Sequence, residues 1–219
     1  MKIFEKQIWH LLVLSILLFG VNLLADDKAL SGSFWGLSGK SWFWLTIGAA
    51  IAHQLYVWLF WRLELHYDLL RKFTGENPFL YFAAGFALLI AARPLSIVGL
   101  AIASRNTFSI SPFIAFLTAS IAAILGVYLL YSVKKYFGFQ RAFGIDHFDS
   151  SYKNKPFVKD GIFKWSDNAM YKFGFLLLWI PGLICFSKAA LIAAFFSHIY
   201  IWVHYYFTEL PDIKRIYGR

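Results

Sequence analysis

Charged residues are scarce in this chain. Asp, Glu, Lys and Arg together make up 15% of the 219 residues, whereas roughly 25% is usual in a soluble domain. Hydrophobic residues reach 59% and aromatic residues 21%. This composition excludes an ordinary soluble domain and is typical of a membrane protein, in which aromatic side chains lie at the membrane surface or around apolar ligands.

Cysteine is nearly absent as well. The single Cys185 can form no intramolecular disulfide. It lies in the apolar run 182–186, which favours a small buried apolar side chain. The sequence also has no C-x-x-C, no H-E-x-x-H and no His/Cys cluster, so we predict no metal site.

Acidic residues are outnumbered. The chain has 12 Asp and Glu against 21 Lys and Arg, which gives a formal charge of +9. Such an excess can indicate nucleic-acid binding, but here the basic residues lie in loops between apolar stretches rather than on one soluble face. We therefore expect anionic lipid at the cytoplasmic face as their partner, and no nucleic acid.

Long apolar runs make up most of the remaining sequence. A membrane-spanning helix needs about 20 mainly apolar residues. The stretches that clearly reach this length are 8–25, 41–63, 79–104 and 112–133. We predict that each of them crosses the bilayer once.

The last apolar stretch, 173–207, is too long for one crossing. It contains Pro181-Gly182 and the polar pair Ser187-Lys188, which favour two helices in a hairpin, the first of them short or kinked. The predicted fold is therefore an all-α, polytopic membrane bundle of about six transmembrane helices with a C-terminal helical hairpin.

The positions of the basic residues predict the orientation. Lys2 and Lys6 precede the first apolar run as in a secretory signal, but no small-x-small cleavage site follows, so we interpret that run as a retained helix. With six crossings and the N-terminus inside, most Lys and Arg lie in cytoplasmic loops. The basic residues that lie outside are Lys28, Lys40, Arg105 and Lys188. This asymmetry predicts that both termini are cytoplasmic.

Arg93-Pro94 interrupts the third apolar stretch. A charge at membrane depth is costly and usually faces a bundle interior or a cavity, so Arg93 is a candidate substrate-binding residue. The alternative is a kinked helix in which the arginine pairs structurally or extends toward the surface.

A polar, basic segment, 134–172, separates the first four spans from the hairpin. Glycines and Pro156 punctuate it, and aromatic residues alternate with charges. A disordered linker would have far fewer aromatic residues. We expect short helices and turns packed at the membrane surface.

Part of this segment carries a family resemblance. The run 161–171, GIFKWSDNAMY, resembles the G-[IL]-[FY]-[RK]-x-x-R-[HN]-P-x-Y element of integral-membrane S-adenosylmethionine-dependent methyltransferases. This superfamily includes phosphatidylethanolamine N-methyltransferases and isoprenylcysteine carboxyl methyltransferases. After a helical hairpin, these families have a Glu-rich element followed by a Tyr-Gly or Phe-Gly pair near the end of the chain. This chain has HYYFTELPD at 204–212 and then Tyr217-Gly218.

The resemblance implies transfer of a methyl group from S-adenosylmethionine to a membrane-embedded lipophilic acceptor. It divides the chain into a four-helix transmembrane region, 1–133, and an interfacial segment with the C-terminal hairpin, 134–219, which would form the methyl-donor site. A phospholipid amine headgroup is the favoured acceptor, because Asn168 is common in the phospholipid branch, and a prenylated cysteine is the alternative. Such a reaction needs orientation and desolvation rather than a metal or a protein nucleophile.

The chain departs from the family pattern at Asp167 and Ala169, and it has Asn rather than His at 168. Asp167, Asn168 and Ala169 stand where the pattern has Arg, His and Pro. Asp in place of Arg reverses a charge where the donor carboxylate would be held. The basic residues that could take over this role are Arg141, Lys164 and Lys172.

Glu209 is the leading site residue. By the resemblance it would bind the ribose or the ammonium of the donor, and the alternative is an interfacial carboxylate paired with Lys214 or Arg215. His204 is the second catalytic candidate, as a proton acceptor or an orienting group, although a hydrogen-bonded packing histidine would fit its position as well.

The other predicted contacts divide between donor and acceptor. Gly161, Asn168, Tyr171 and Tyr205, together with Glu209, would line the donor site, where the tyrosines stack on the adenine or surround the sulfonium. Arg141 and His147 are the interfacial candidates for substrate binding, Arg141 because arginine pairs with phosphate in a bidentate way. A solvated interfacial turn is the alternative for the His147 region.

Two other functions remain open at this stage. Asp167 and Ala169 fit a small transporter or a non-catalytic membrane protein that kept the fold. The C-terminal region also resembles membrane NADPH-dependent reductases of the sterol type. Donor binding distinguishes the three, since only a methyltransferase should bind S-adenosylmethionine.

Overall fold

The computed structural model describes residues 2–218, and nearly all of its regular structure is helical. The long helices are α1 (Gln7–Leu24), α2 (Gly39–Tyr67), α4 (Pro78–Ala103), α5 (Pro112–Ser132) and α9 (Lys188–His204). The short helices are α3 (Leu69–Thr74), α6 (Phe139–Ala142), α7 (Ala169–Phe173), α8 (Ile180–Ile184) and α10 (Leu210–Tyr217).

Five helical stretches are long and apolar enough to cross a membrane. They are Lys2–Leu24, Gly39–Tyr67, Pro78–Ala103, Pro112–Phe137 and Lys188–Tyr217. The four predicted N-terminal spans coincide with the first four of these. The all-α bundle predicted from the sequence is confirmed.

The first arm of the hairpin is short and irregular. A shorter apolar helical stretch covers Ala169–Ile184 and consists of α7, a 3-10 turn at Gly174–Leu178 and α8. Ser187 then begins α9, where its side chain accepts a hydrogen bond from the backbone N–H of Ala190. The predicted hairpin with a short first arm is therefore present.

The first loop is more ordered than the plain connector that its composition suggests. Ser33–Phe34 (β1) and Leu37–Ser38 (β2) pair as a two-residue antiparallel ladder. Ser38 then caps the start of α2 by accepting the backbone N–H of Ser41. The loop thus fixes where α2 begins.

Helix α9 is the centre of the bundle and packs against α1, α2 and α4. Its first half contributes Ala189, Ala190, Ala193 and Ala194, all fully buried. Small side chains let helix backbones approach closely in a membrane, where apolar burial alone gives little driving force. The core around them includes Phe43, Ile47, Ile97 and Leu100.

Arg62 lies next to the end of the predicted span 41–63, and the structure extends this helix beyond it. Helix α2 continues to Tyr67, so Arg62 lies inside it and is 0% exposed. Its Nε donates to Asp212 Oδ2 at 3.0 Å, and its Nη1 donates to the carbonyls of Ile3 and Glu5 at 2.9 and 2.7 Å. The buried cation thus joins the N-terminus, α2 and α10.

The interfacial segment is packed, as expected, against α2 and α4. Phe148 lies 4.9 Å from Phe82, and Phe143 lies 4.4 Å from Phe86, measured between ring centroids. Gly144 has a φ of +83°, and a Cβ there would lie 2.3 Å from Trp61 Cζ2. Only glycine fits this approach to α2, so Gly144 sets the distance between the segment and the bundle.

Candidate active site

A pocket of about 410 Å³ lies between the interfacial segment and the C-terminal end of the chain. Its volume falls in the range typical of small-molecule sites. The polar and charged side chains that line it are Arg141, Asp146, His147, Lys159, Asp167, Asn168, Tyr171, Tyr205, Glu209, Lys214 and Tyr217. Trp61 of α2 and several phenylalanines supply an apolar wall.

Glu209 reaches the pocket and is held by Tyr171. The tyrosine hydroxyl donates a hydrogen bond to Glu209 Oε2. The alternative prediction, in which Glu209 pairs with Lys214 or Arg215, is wrong for the arginine, which binds Glu5 Oε2 at 2.7 Å instead. No ion pair to Glu209 occurs among residues 2–218, so its only side-chain hydrogen bond there is the one from a neutral phenol.

A π-helical turn, Tyr205–Glu209, sets the direction of the Glu209 side chain. Such turns insert one residue into an α-helix and often occur at functional sites. Two donors from the N-terminal helices stabilise it. Arg62 Nη2 contacts the carbonyls of Phe207 and Thr208 at 3.2 and 3.3 Å, and Gln7 Nε2 donates to the Phe207 carbonyl at 3.0 Å.

Aromatic rings surround the Tyr171 hydroxyl bond. The ring centroid of Tyr171 lies 5.7 Å from that of Tyr205 and 6.0 Å from that of Trp202. These distances are in the range of favourable edge-to-face contacts. Tyr205 also lines the pocket, so the candidate cation–π surface predicted from the sequence faces the cavity beside Glu209.

His147 and Asp146 form a hydrogen-bonded pair at the pocket wall. His147 Nδ1 lies 3.0 Å from Asp146 Oδ1, and the imidazole stacks on Trp61 with centroids 4.0 Å apart. Burial disfavours the imidazolium, but the charge of Asp146 and its hydrogen bond outweigh burial and raise the pKa of His147. Burial alone would raise the pKa of Asp146. The charge and the hydrogen bond of His147 outweigh burial, and the pKa of Asp146 is lowered. The solvated turn considered for this region is therefore wrong.

The second ring nitrogen of His147 is free to act on a ligand. Nε2 is buried and has no hydrogen-bond partner in the described part of the chain. Because Nδ1 faces the Asp146 carboxylate, it carries a proton, and Nε2 is the position that gains or loses one. The Tyr217 hydroxyl donates to Asp146 Oδ2 at 3.0 Å and fixes the carboxylate from the other side.

The basic residues of the pocket differ from those predicted to replace the missing family arginine. Arg141 does line it, with Nη1 donating to the Pro156 carbonyl at 2.9 Å. Lys164 and Lys172 are not among the lining residues, whereas Lys159 and Lys214 are. The sequence offered no signal to prefer these two lysines over the others.

His204, Arg93 and Gly161 lie outside the lining of the pocket. His204 is 1% exposed and lies behind Trp61, with ring centroids 5.9 Å apart. Arg93 is buried deeper in the bundle beside His53. Gly161 packs against Ser132 and Tyr136, where a Cβ would lie 2.7 Å from the Ser132 hydroxyl. The structure thus brings Asn168, Tyr171, Tyr205, Glu209, Arg141 and His147 together and leaves these three out.

Trp61 is the pocket residue that sequence reasoning missed. It lies on α2, far from the family-like segment, and looks like any other aromatic residue of a membrane helix. Only the tertiary contact with His147 distinguishes it. No pattern in the sequence could have selected it among 9 tryptophans.

The chemistry of the pocket fits S-adenosylmethionine. Carboxylates are available for an ammonium or ribose, lysines and Arg141 for a carboxylate, and aromatic rings for adenine and sulfonium. The partly buried carboxylate of Glu209 faces this space with only a phenol as its hydrogen-bond partner in the described part of the chain. Among residues 2–218, no cluster of His, Cys, Asp and Glu could hold a metal ion.

Comparison with known proteins agrees with this chemistry. The model of the phospholipid methyltransferase family matches residues 114–219, a range that begins within α5 and includes every pocket element except Trp61. No curated protein and no solved structure matches the chain significantly. Residues 114–219 are therefore similar to the phospholipid methyltransferase family, and the resemblance seen in the sequence is confirmed.

Proposed function

We propose that the protein transfers a methyl group from S-adenosylmethionine to the amine headgroup of a membrane phospholipid. The family supports a membrane methyltransferase. The observation that carries the choice of donor is the Glu209 carboxylate, which lines a pocket at the end of the bundle, is partly buried, and accepts its one side-chain hydrogen bond among residues 2–218 from Tyr171. S-adenosylmethionine supplies a methyl group that is already activated on a sulfonium, so the protein needs neither a nucleophile nor a metal.

Donor binding would depend on the C-terminal wall of the pocket. Glu209 accepts hydrogen bonds from the ribose hydroxyls or the ammonium, and Tyr171 and Tyr205 face the adenine or the sulfonium. Lys159 and Lys214 lie where they can pair with the donor carboxylate. They would thereby compensate for Asp167, which stands at the position of the family arginine.

The proton acceptor is assigned to His147 rather than to His204. The amine lone pair forms the new N–C bond while the C–S electrons stay on sulfur, and the resulting ammonium must lose a proton. His147 lines the pocket and has a free Nε2, whereas Trp61 separates His204 from it. Asp146 stabilises the imidazolium that forms, as an acid does behind a catalytic histidine.

Arg141 is the candidate contact for the lipid phosphate. Its Nη2 is buried without a hydrogen-bond partner in the described part of the chain, while Nη1 is fixed by the Pro156 carbonyl. A guanidinium that is fixed at Nη1, lies beside the Tyr217 hydroxyl and keeps Nη2 unpartnered suits an oxyanion. The acceptor tail would enter laterally from the bilayer while the donor enters from water.

The test is incubation of the purified protein with methyl-labelled S-adenosylmethionine and a total lipid extract. Label should appear in derivatives of phosphatidylethanolamine and be lost in Glu209→Ala. The matched control is Glu76→Ala, which changes an exposed carboxylate in a loop. Label in a carboxyl ester would show that the acceptor is a prenylated cysteine and not a phospholipid amine. Binding of NADPH instead of S-adenosylmethionine would overturn the proposal.

A further inference from the structure

Arg93 is a buried cation with an open hydrogen-bonding edge. It is 4% exposed, so it points into the bundle and not toward lipid. Its Nη1 contacts His53 Nδ1 at 3.3 Å, and its Cζ lies 4.8 Å from the centre of the Phe175 ring. The two remaining nitrogens, Nε and Nη2, are buried and have no partner among residues 2–218.

No carboxylate of the described chain neutralises this charge. The two buried carboxylates are Glu64 and Asp212; Glu64 pairs with Arg71, and Asp212 pairs with Arg62 and Arg215. Glu209, a partly buried acid of the pocket, is bonded to Tyr171. An unpaired guanidinium inside a protein is costly, so the counter-charge must come from a molecule that binds there.

The open atoms also define the chemistry of that molecule. Nε and Nη2 form the side of the guanidinium that presents two parallel N–H donors, the arrangement that matches a carboxylate. Because His53 Nδ1 accepts from Arg93, the histidine proton lies on Nε2, which is likewise buried without a partner. Three donors and no acceptor call for an acidic group with two oxygens.

Because the site lies deep in the bundle, the rest of the ligand, apart from its acidic group, must be apolar. Arg93 lies fifteen residues after Pro78 and ten before Ala103, the two ends of α4, so it is about 15 Å along the helix from the nearer end. The neighbours of the two polar side chains are the rings of Phe175 and Phe86, the latter 4.8 Å from the His53 ring. The phosphate of a bilayer phospholipid stays at the surface and would not reach this depth.

The geometry points to a second ligand site, in which Arg93 and His53 bind the carboxylate of a long-chain fatty acid inside the bundle. The site uses α2 and α4, which lie outside the matched range 114–219. Phe175 connects it to the pocket, since its ring lies 6.5 Å from that of Tyr171. The proposal does not depend on methyl transfer.

Binding of radiolabelled oleate to the delipidated protein in neutral detergent tests this site. Arg93→Gln should weaken binding at least tenfold, as expected for the loss of a charged two-point contact, and Arg93→Lys should weaken it less. Arg105→Gln, which removes an exposed cation, should leave binding unchanged. Equal binding by wild type and Arg93→Gln would overturn the proposal.

Competition by unlabelled compounds shows which kind of molecule carries the acidic group that binds Arg93. Unlabelled oleate should displace the label, whereas methyl oleate, which lacks the charge, should not. Displacement by acetate or chloride alone would indicate a small-anion site, and displacement by phosphatidic acid in preference to oleate would indicate a lipid phosphate. Either result would contradict the fatty-acid assignment.

A stability measurement guards against a variant that merely misfolds. Without ligand, Arg93→Met should melt at the same temperature as the delipidated wild type or higher, because an unpaired buried charge is removed. Oleate should then raise the melting temperature of the wild type alone. A large loss of stability in ligand-free Arg93→Met would show that the chain itself partners Arg93, and the proposed site would be wrong.

Discussion

Arg62 and Asp212 form a fully buried ion pair, with Nε and Oδ2 3.0 Å apart and both side chains 0% exposed. The pair lies beside the π-helical turn that carries Glu209. Arg62 thus serves two purposes, since it compensates the charge of Asp212 and donates to the carbonyls of that turn. The family-like C-terminal region therefore depends on a helix outside it.

Removing one partner of this pair should be costly. Asp212→Asn should lower the free energy of unfolding by about 3–5 kcal/mol, the usual loss when one member of a buried pair remains charged and alone. Arg62→Met combined with Asp212→Leu should recover much of this loss. Thermal unfolding in detergent measures both. A double variant no more stable than Asp212→Asn would mean that the Arg62 contacts to carbonyls matter more than the ion pair.

Glu209 and Tyr171 should contribute unequally to donor binding. Glu209→Gln should weaken S-adenosylmethionine binding at least tenfold, because a charged acceptor is lost. Tyr171→Phe should have a smaller effect, since the carboxylate remains. Titration calorimetry with S-adenosylmethionine measures both, with Glu76→Gln as the control. Unchanged binding in Glu209→Gln would remove this residue from the site.

The activity of the enzyme should rise with pH through the pKa of His147. The raised pKa lies above the ordinary value of 6.5, and only the neutral imidazole accepts a proton. Asp146→Asn removes the charge that raises this pKa, so the rising limb of kcat/KM should move to lower pH. A profile that stays in place would exclude His147 as the proton acceptor.

The same pair predicts how stability depends on pH. The folded state raises the pKa of His147 above 6.5 and lowers that of Asp146 below 3.8. The His147 contribution is complete below pH 6.5 and is lost as the pH rises through the folded pKa, whereas the Asp146 contribution is lost as the pH falls through its own. Stability from the pair should therefore be greatest between these limits. Unfolding of Asp146→Asn as a function of pH should lack this maximum.

Gly161 should not tolerate a side chain. Its φ is +58°, and a Cβ would lie 2.7 Å from Ser132 Oγ, which accepts the backbone N–H of Ile162. Gly161→Ala should cost more than the roughly 1–2 kcal/mol of left-handed backbone strain. Gly218→Ala provides the matched control, because Gly218 is left-handed, with φ +67°, and nothing lies within 4 Å of the added Cβ. Equal melting temperatures for the two variants would contradict the close approach to Ser132.

The predicted orientation can be tested with single cysteines. In a Cys185→Ser background, Lys28→Cys should react with a membrane-impermeant maleimide only from outside, and Lys153→Cys only from the cytoplasm. Both positions are exposed. Labelling of the two positions from one side would contradict the predicted orientation.

The sequence predicted what local patterns encode. Hydropathy located the spans, because burial in lipid constrains every residue of a helix. The burial of Arg62 could not be predicted, because its partner Asp212 lies 150 positions away. A charge at the end of an apolar run usually marks the end of a helix. The π-helical turn could not be predicted either, because the helical period assigns Tyr205 and Glu209 to one face whether or not a residue is inserted.

The candidate site was predictable only where the family pattern reaches. Tyr171, Asn168 and Glu209 follow from that pattern and do line the pocket. His204 is a residue type common in catalysis, but it is buried against Trp61 of another helix and does not line the cavity. Which histidine lines the cavity depends on packing between distant segments, and this explains why His147 does so and His204 does not.

The ion pair between Arg62 and Asp212 has a consequence for biogenesis. The ribosome makes Arg62 long before Asp212, so α2 inserts while its cation lacks a counter-charge. Until α10 emerges, that cation must remain hydrated at the bilayer surface, so the end of α2 cannot take up its native packing. A nascent chain would lose this restraint only on completion, so the same contact that closes the native bundle distinguishes a finished protein from a truncated one.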